Sequence, residues 1–490
     1  MRFLLDTNIL IPLEDSSKVL EAGLANFVRL ANENGHQLVH HPASETDFLR
    51  DSDPNRLKQN LDRIKQYHRL DDAPSCPWNT KETSPNDAAD NDILYALKCC
   101  AVHALVTEDR GIHEKAKKIG LVENVYTIQT AEDLLRRLHA RVVIDLPNIQ
   151  EVSLYNLTSH LESDFFDSLR MGYPEFNDWF RAKAKEGTKA WVSWEDNGQI
   201  GALCIYAVQY DEVVTDDGKI LPGAALKLCT FKVGMPVRGR KIGELFLKAA
   251  FRYATANKIE NIFIHGNVEK HHFLFNILED FGFERIGNHP KSDGRDAVYV
   301  KKHPIDPPVD GSDPFNYLRK YFPHFRSDAS IGKYIIPIKP EFHQILFPDY
   351  DQHEQQLNLF KTENSAGNAI KLAYLCNAPT KSMCPGDIVL FYRSKDEQSV
   401  TSVGIVEAYD TLQDADAIAS KVRRRTVYKM EEIRLMAGKA TRVMLFRLIQ
   451  HFQHQAPLDW LRSNRVLKKS PQSITKISNE SFNQIMKYGK

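Results

Sequence analysis

Two short apolar runs that end abruptly in Asp constrain this chain more than any other feature. Arg2-Phe3-Leu4-Leu5 stops at Asp6, and Ala104-Leu105-Val106 runs through Thr107 and Glu108 to Asp109. Apolar runs of this length, bounded by polar breaks, read as strands buried on both faces of a parallel α/β sheet. Ligands of open α/β sheets collect beyond the carboxyl ends of the strands, so both acids are expected in one crevice. Between them, Asp87-Ala-Ala-Asp90-Asn-Asp92 opens an amphipathic helix with Ile93, Leu94, Leu97 and Ala101 as its apolar stripe. Asp90 shares the face of that stripe, whereas Asp92 lies about 200° around the helix from Asp90. Glu45, with Asp47 beside it, adds an acid at the start of another helix. Taken singly, each acid is equally well read as a turn or helix cap. Taken together, carboxylates this close repel unless neutralised, and an all-oxygen site suits Mg²⁺ or Mn²⁺.

The order strand-Asp, helix-Glu, helix-Asp, strand-Thr-x-Asp resembles the PIN-domain nucleases over residues 1–142. The resemblance implies a three-layer α/β/α domain around a parallel sheet, in which Mg²⁺ or Mn²⁺ activates water against a phosphodiester. It implies Asp6, Glu45, Asp90 and Asp109 as catalytic acids, with Asp6, Asp90 and Asp109 as metal ligands and Asn8 and Thr107 in support. RNA, tRNA included, an antitoxin-like inhibitor protein and a second copy of the chain are the partners it implies.

A length of 490 residues suggests about three domains. The 64 basic and 64 acidic residues cancel, so any contact with a polyanion must be local. Seven cysteines without a C-x-x-C pair argue against a disulfide framework or a zinc knuckle. With no apolar run of membrane-spanning length and no basic leader at the start, a cytoplasmic protein without membrane contact is expected.

The stretch Arg141-Val-Val-Ile-Asp-Leu-Pro147-Asn, where the first α/β unit gives way to a new strand, and the Pro- and Asp-rich stretch 303–326 divide the chain further. In the middle segment, 143–302, Asp196-Asn-Gly198 between two apolar runs predicts a hairpin. A strand ending at Val233 is followed by Arg238-Gly239-Arg240-Lys241-Ile242-Gly243 and a helix, a turn whose free backbone N–H groups suit a pyrophosphate. With the strand Asn261–His265 and the later Gly282-Phe283, this succession resembles the GNAT acyltransferase superfamily. The resemblance implies acetyl-CoA or another acyl-CoA as cofactor, lined by Val233, Arg238, Gly239, Arg240, Lys241, Ile242 and Gly243. Two positions depart from the family pattern: Lys241 replaces the central glycine, and Leu278 replaces the tyrosine that often serves as general acid. His265, His271 and His272 are the histidines in the region where a base would be needed.

The last segment, 327–490, reads as a small β-barrel with attached helices. Its Pro385-Gly386-Asp387 turn before an apolar strand, answered by Val403-Gly404-Ile405-Val406-Glu407, resembles the PUA-like superfamily of the ASCH and EVE groups. Those modules commonly hold RNA or modified bases. Arg393, Arg423, Arg424 and Arg425 are the nucleic-acid-binding candidates, with Lys468 and Lys469 as further cations and Phe391 or Tyr392 as a base-stacking ring. The Arg run is also readable as a solvated helix face.

The expected whole is a multidomain α/β chain: a metal-dependent endoribonuclease fused to a mixed α/β acyl-CoA-binding domain and an RNA-holding barrel, of the kind found in toxin or defence systems. Two other readings compete with it. One is an N-acetyltransferase acting on an amine of RNA, aminoacyl-tRNA or protein, and the other is a non-catalytic RNA-binding adaptor.

Overall fold

In the first sheet the apolar runs become strands because their residues are buried on both faces. A computed structural model of the chain describes all residues except 15–21, 49–63, 79–84, 140–147, 196, 235–240, 291, 293, 351–363, 367–369, 380–382 and 426. β1 (Arg2–Leu5), β2 (Gln37–His40), β3 (His68–Arg69), β4 (Ala104–Val106) and β5 (Val125–Tyr126) form a parallel sheet of order β3-β2-β1-β4-β5. Leu4, Val39, Leu105 and Val125 pack under the helices Pro85–Lys98 and Arg110–Lys118. On the opposite face Phe3 meets Phe27 of the helix Ala22–Glu33, ring centroids 5.5 Å apart. Helices thus cover both faces, and the strand carboxyl ends carrying Asp6 and Thr107 share one edge.

The chain divides into two compact units, and the division does not follow the chain order expected above. One unit holds Met1–Val143 together with Leu375–Asn377 and Thr411–Val443; the other holds Ile144–Tyr374, Ala378–Asp410 and Met444–Lys490. Within the first unit, Arg423 and Arg425 pair with Glu123, and Ser420 Oγ donates to the His103 carbonyl at 3.0 Å, which ties the segment 411–443 to the parallel-sheet fold.

The second unit is built on an eight-stranded sheet of order β11-β12-β10-β9-β8-β7-β6-β14. Its strands are β6 (Asn148–Ser153), β7 (Lys189–Trp194), β8 (Ile200–Tyr210), β9 (Ala224–Val233), β10 (Asn261–Gly266), β11 (Glu284–Asn288), β12 (Ala297–Lys302) and β14 (Asn364–Ala366). β7 and β8 are antiparallel and joined at Gly198, whose φ of 78° is the left-handed geometry the Asn-Gly signal requires. β9 and β10 pair in parallel only over Ala225–Lys227 and Asn261–Phe263. Beyond Lys227 and Phe263 each strand pairs only with its outer neighbour, β8 or β12, and the two strands part.

The third sheet has the order β15-β18-β17-β16-β13-β19. Its strands are β13 (Lys333–Ile338), β15 (Lys371–Cys376), β16 (Ile388–Arg393), β17 (Ser399–Leu412), β18 (Thr441–Pro457) and β19 (Thr475–Lys476). It corrects the expected barrel: among the described residues no pairing joins β15 to β19, and a two-residue edge strand such as β19 offers too short a ladder to close one. No helix among the described residues is long and apolar enough to cross a membrane.

One buried charge in the second unit makes a testable prediction. Lys301 on β12 is fully buried and donates from Nζ to the Lys320 carbonyl at 2.9 Å. Burial, with the Arg447 charge nearby, pushes its ammonium down to about 7. An unfolded lysine titrates near 10.4, so the cost of burying the charge is full below pH 7 and fades as pH rises toward 10.4. Lys301→Met is therefore expected to stabilise the protein by on the order of 1–2 kcal/mol at pH 7. Melting temperatures at pH 7 and pH 9.5 check this: the gap between variant and wild type should narrow at the higher pH, and a constant gap would contradict it.

Candidate functional site

Asp6 is held where β1 ends and the helix Thr7–Glu14 begins. Its carboxylate accepts the Thr7 N–H at 2.7 Å, the Asn8 side-chain amide at 2.8 Å and the Thr107 hydroxyl at 2.6 Å. Thr107 is fixed in turn, because its oxygen accepts from the Asn8 amide at 3.0 Å and from the Asp109 N–H at 2.9 Å. His113, absent from the sequence-derived set, donates Nε2–H to the Thr107 carbonyl at 3.1 Å. Burial pushes the Asp6 carboxyl up to about 6; the Thr107 and Thr7 hydrogen bonds oppose the rise, and the charges of Asp90 and Asp109 add to it. Three of the four expected acids therefore share one electrostatic neighbourhood at the carboxyl ends of the strands.

Each of those three also has a local role. Asp109 caps the helix Arg110–Lys118 by accepting the Ile112 N–H at 3.1 Å, so cap and site acid coincide in one residue. Asp90 takes an ion pair from Lys115 at 2.9 Å. Its carboxyl is nevertheless raised, by burial and by the charges of Asp109 and Asp87. Asp92 faces elsewhere, accepting the Cys76 N–H at 3.3 Å. Glu45 is not brought to the other acids: its Oε1 pairs with His40 at 3.0 Å and with Arg69 at 2.8 Å. Against the effect of burial, those two partners lower its pKa. The Asp47 side chain lies outside the described residues.

The donor chemistry, carboxylates and hydroxyl without thiolate or imidazole, fits Mg²⁺ or Mn²⁺. The expected three-ligand grouping is corrected, since among the described residues no three His, Cys, Asp or Glu side chains could hold one ion together. Asp90 is turned toward Lys115 and Asp109 toward its helix.

In the second unit the loop expected to cradle a pyrophosphate lies mostly outside the described residues, Arg238, Gly239 and Arg240 included. Val233 ends β9 and is half-buried, and Ile242 is buried in the core. Lys241 adopts φ 58°, a left-handed conformation that glycine adopts most readily, and its Nζ donates to the Lys371 carbonyl at 2.9 Å. Glu244, in the first turn of the helix Ile242–Ala256, accepts the Lys371 N–H at 3.2 Å. A Cβ at Gly243 would meet only ordinary contacts, Ile277 at 3.6 Å and Phe231 at 3.9 Å. Leu278 is fully buried. His265 sits where β10 has left β9, its ring stacked on His289 at 3.8 Å. Burial, with His289 and Lys227 nearby, pushes its pKa down to about 3, too low for an effective base near neutral pH. His271 is exposed just before the helix His272–Asp280, and His272 is buried.

The expected nucleic-acid contacts need the largest correction. Arg393 is buried and paired with Asp396 at 2.7 Å and Glu397 at 2.9 Å. Arg423 pairs with Glu123 and Asn124, and Arg425 with Glu123 at 2.7 Å. The Arg424 side chain lies outside the described residues. Phe391 and Tyr392 are both buried, because β16 lies inside the sheet with both faces covered: Phe391 packs on Phe446 and Phe347, and Tyr392 joins the main core. Exposed cations of the segment instead include Arg462, Arg465, Lys468 and Lys469, on and after the helix Leu458–Ser463. Only the two lysines drew notice in the sequence, because the arginines are spread singly rather than in a run.

No curated protein matches the chain. Among solved structures, it is similar to an ASCH protein from Zymomonas mobilis at 16% identity, with 32% of this chain and 96% of that one covered and a TM-score of 0.26. It is also similar to a putative GNAT acetyltransferase from Desulfovibrio desulfuricans at 13% identity, with 31% and 97% covered and a TM-score of 0.26. An aminoglycoside 6'-N-acetyltransferase complexed with coenzyme A is similar at 16% identity, with 33% and 99% covered and a TM-score of 0.24. Within the chain, residues 372–488 match the EVE domain family.

Proposed function

We propose that this protein is a metal-dependent endoribonuclease whose chemistry is centred on Asp6, Asp90 and Asp109. The observation that carries the reading is the buried Asp6 carboxylate at the end of β1, oriented by Thr107 and Asn8 and raised to about 6 amid two further carboxylates. Asp6 and Asp109 are the residues that would hold Mg²⁺ or Mn²⁺. When bound, the cation supplies Lewis acidity toward a scissile phosphate and its attacking water. The chain's own contribution is orientation: with all three Asp6 hydrogen bonds coming from neutral donors, the full carboxylate charge remains available to a cation. Recognition of RNA is assigned to the EVE-matching region, where Arg462, Arg465, Lys468 and Lys469 are exposed for phosphate contact. Incubation with total tRNA and with single-stranded RNA and DNA, in Mg²⁺, Mn²⁺ or EDTA, tests the reading. Metal-dependent cleavage is expected, and intact nucleic acid throughout would refute it.

A second reading, acyl-CoA binding by the other unit, is favoured by one observation: the parting of β9 and β10 after Lys227 and Phe263 leaves unpaired backbone groups along a wedge, able to pair with an amide-bearing ligand. Isothermal titration with acetyl-CoA is expected to give binding that Gly243→Asp abolishes, because the new carboxylate fits sterically but repels phosphate at the helix start. Absence of binding at high micromolar acetyl-CoA would remove this reading.

A further inference from the structure

The segment 459–490 of the second unit combines cations left without acid partners with a partly exposed aromatic pair. It holds seven Lys and Arg residues against two acids, Asp459 and Glu480, in a chain whose 64 basic and 64 acidic residues balance overall. All seven cations are exposed. Packing explains their exposure: Leu461 and Leu467, with Phe482 and Ile485 of the helix Asn479–Tyr488, are buried in the core and leave the charged positions between them facing out. Among the described residues, one of the seven meets an acid, Arg462 at 3.6 Å from Asp459. The arginines at 393, 423 and 425, by contrast, are all paired from within.

Trp460 packs against the core, and its ring lies 4.4 Å from that of Tyr488, 36° from parallel. That contact joins the helix Leu458–Ser463 to the helix Asn479–Tyr488, which brings Arg462 of the first and Lys487 of the second to one part of the surface. Tyr488 stays 37% exposed. Arg465, left-handed at φ 57°, turns the chain after the first helix, and Lys468 and Lys469 follow on the outside while Leu467 returns to the core. Phosphates need cations that are not already paired, and an exposed ring backed by a second ring offers a stacking face to an unpaired base. In a duplex the base faces are covered by their neighbours, so such a ring favours single strands. An acidic peptide or an anionic lipid surface would use the cations and leave Tyr488 idle.

We propose that this face docks single-stranded RNA, with a base stacked on Tyr488 and phosphates held by the surrounding lysines and arginines. The proposal rests on the assignment of RNA recognition to the EVE-matching region and is independent of the acidic centre. Its test is fluorescence anisotropy of the full chain in EDTA with labelled oligouridylate, alone and paired with oligoadenylate. The wild type is expected to bind the single strand more tightly than the duplex. Tyr488→Leu, which keeps apolar bulk but removes the ring, should weaken single-strand binding by about 5–100-fold and leave duplex binding unchanged. Tyr488→Phe should restore it. Replacing Lys468 and Lys469 together by Ala should lower the slope of log affinity against log salt by about 1.4. Single-strand binding unchanged in Tyr488→Leu would overturn the proposal while leaving RNA recognition by the cations intact. Displacement of the oligouridylate by polyglutamate or phosphatidylserine vesicles as readily as by unlabelled RNA would also overturn it. Absence of binding to either RNA at about 50 mM salt would remove the assignment of RNA recognition, and the proposal with it.

Discussion

Asp6→Asn is expected to lower metal-dependent RNA cleavage by about 10²–10⁴-fold, the range for loss of a group acting directly on the reacting atoms. The substitution keeps the shape of the side chain, and an amide oxygen at the Oδ2 position still accepts from the Thr107 hydroxyl and the Asn8 amide, so Thr107 and Asn8 stay in place while the Thr7 N–H loses its acceptor. What disappears is the charge. Because burial raises the Asp6 carboxyl to about 6, the folded protein carries this charge at a cost above that pH. The sign follows from linkage: a carboxyl whose folded pKa exceeds its unfolded one destabilises the fold at neutral pH, so neutralising it should leave the melting temperature unchanged or higher. Loss of cleavage with an unaltered or raised melting temperature is thus the expected pair of results. Cleavage within tenfold of wild type would remove Asp6 from the chemistry, and a large fall in melting temperature would make the loss structural.

Most of this cluster was legible in the sequence because parallel strands convert a linear pattern into a spatial one. An apolar run ending in Asp places that residue at the strand's carboxyl end, and two such runs in neighbouring strands bring Asp6 and Thr107 together. The choice of Asp90 over Asp92 followed from helix periodicity, and the structure turns Asp92 toward Cys76. Glu45 was less legible because a lone acid at a helix start has no register to a neighbouring strand, and His40 and Arg69 take it instead. Lys115 and His113 escaped notice because a long-range ion pair and a bond to a main-chain carbonyl have no local spacing. The turns were readable where only glycine fits: Gly282 has φ 80° and a Cβ there would lie 2.3 Å from the Arg319 carbonyl. Asp387 likewise closes its turn by accepting from the Gly332 and Cys384 N–H groups at 2.9 and 2.8 Å.

The arginines misled for a related reason. A basic run in sequence says nothing of the acids that meet it from elsewhere, and Glu123, about 300 positions away in the chain, takes Arg423 and Arg425.

Arg447→Met is expected to destabilise the second unit by about 3–5 kcal/mol, the usual cost of removing one partner from a buried ion pair. Arg447 is fully buried on β18. Its guanidinium donates to Asp280 Oδ1 at 2.8 Å and to the Asp280 carbonyl at 3.0 Å, and reaches Glu407 at 3.4 Å. It also lies 5.0 Å from the Phe281 ring and 5.2 Å from the Phe315 ring. Methionine fills much of the volume between the rings but takes the buried guanidinium from Glu407 and from Asp280, which also pairs with Lys371 and, at longer range, Arg319. Arg447→Lys is expected to recover little, because a point charge cannot serve two carboxylates, a carbonyl and two ring faces at once. Four of the five tryptophans, Trp179, Trp191, Trp194 and Trp460, lie in this unit, so urea unfolding followed by tryptophan fluorescence reports on it directly. The midpoint should fall sharply in Arg447→Met, while Asp280→Asn, which keeps the carbonyl acceptor, should lose less. A double variant carrying both changes should be markedly less damaged than the sum of the two, since both changes remove the same Arg447–Asp280 side-chain contact. Additivity would show that Arg447 stabilises through its ring contacts rather than through Asp280.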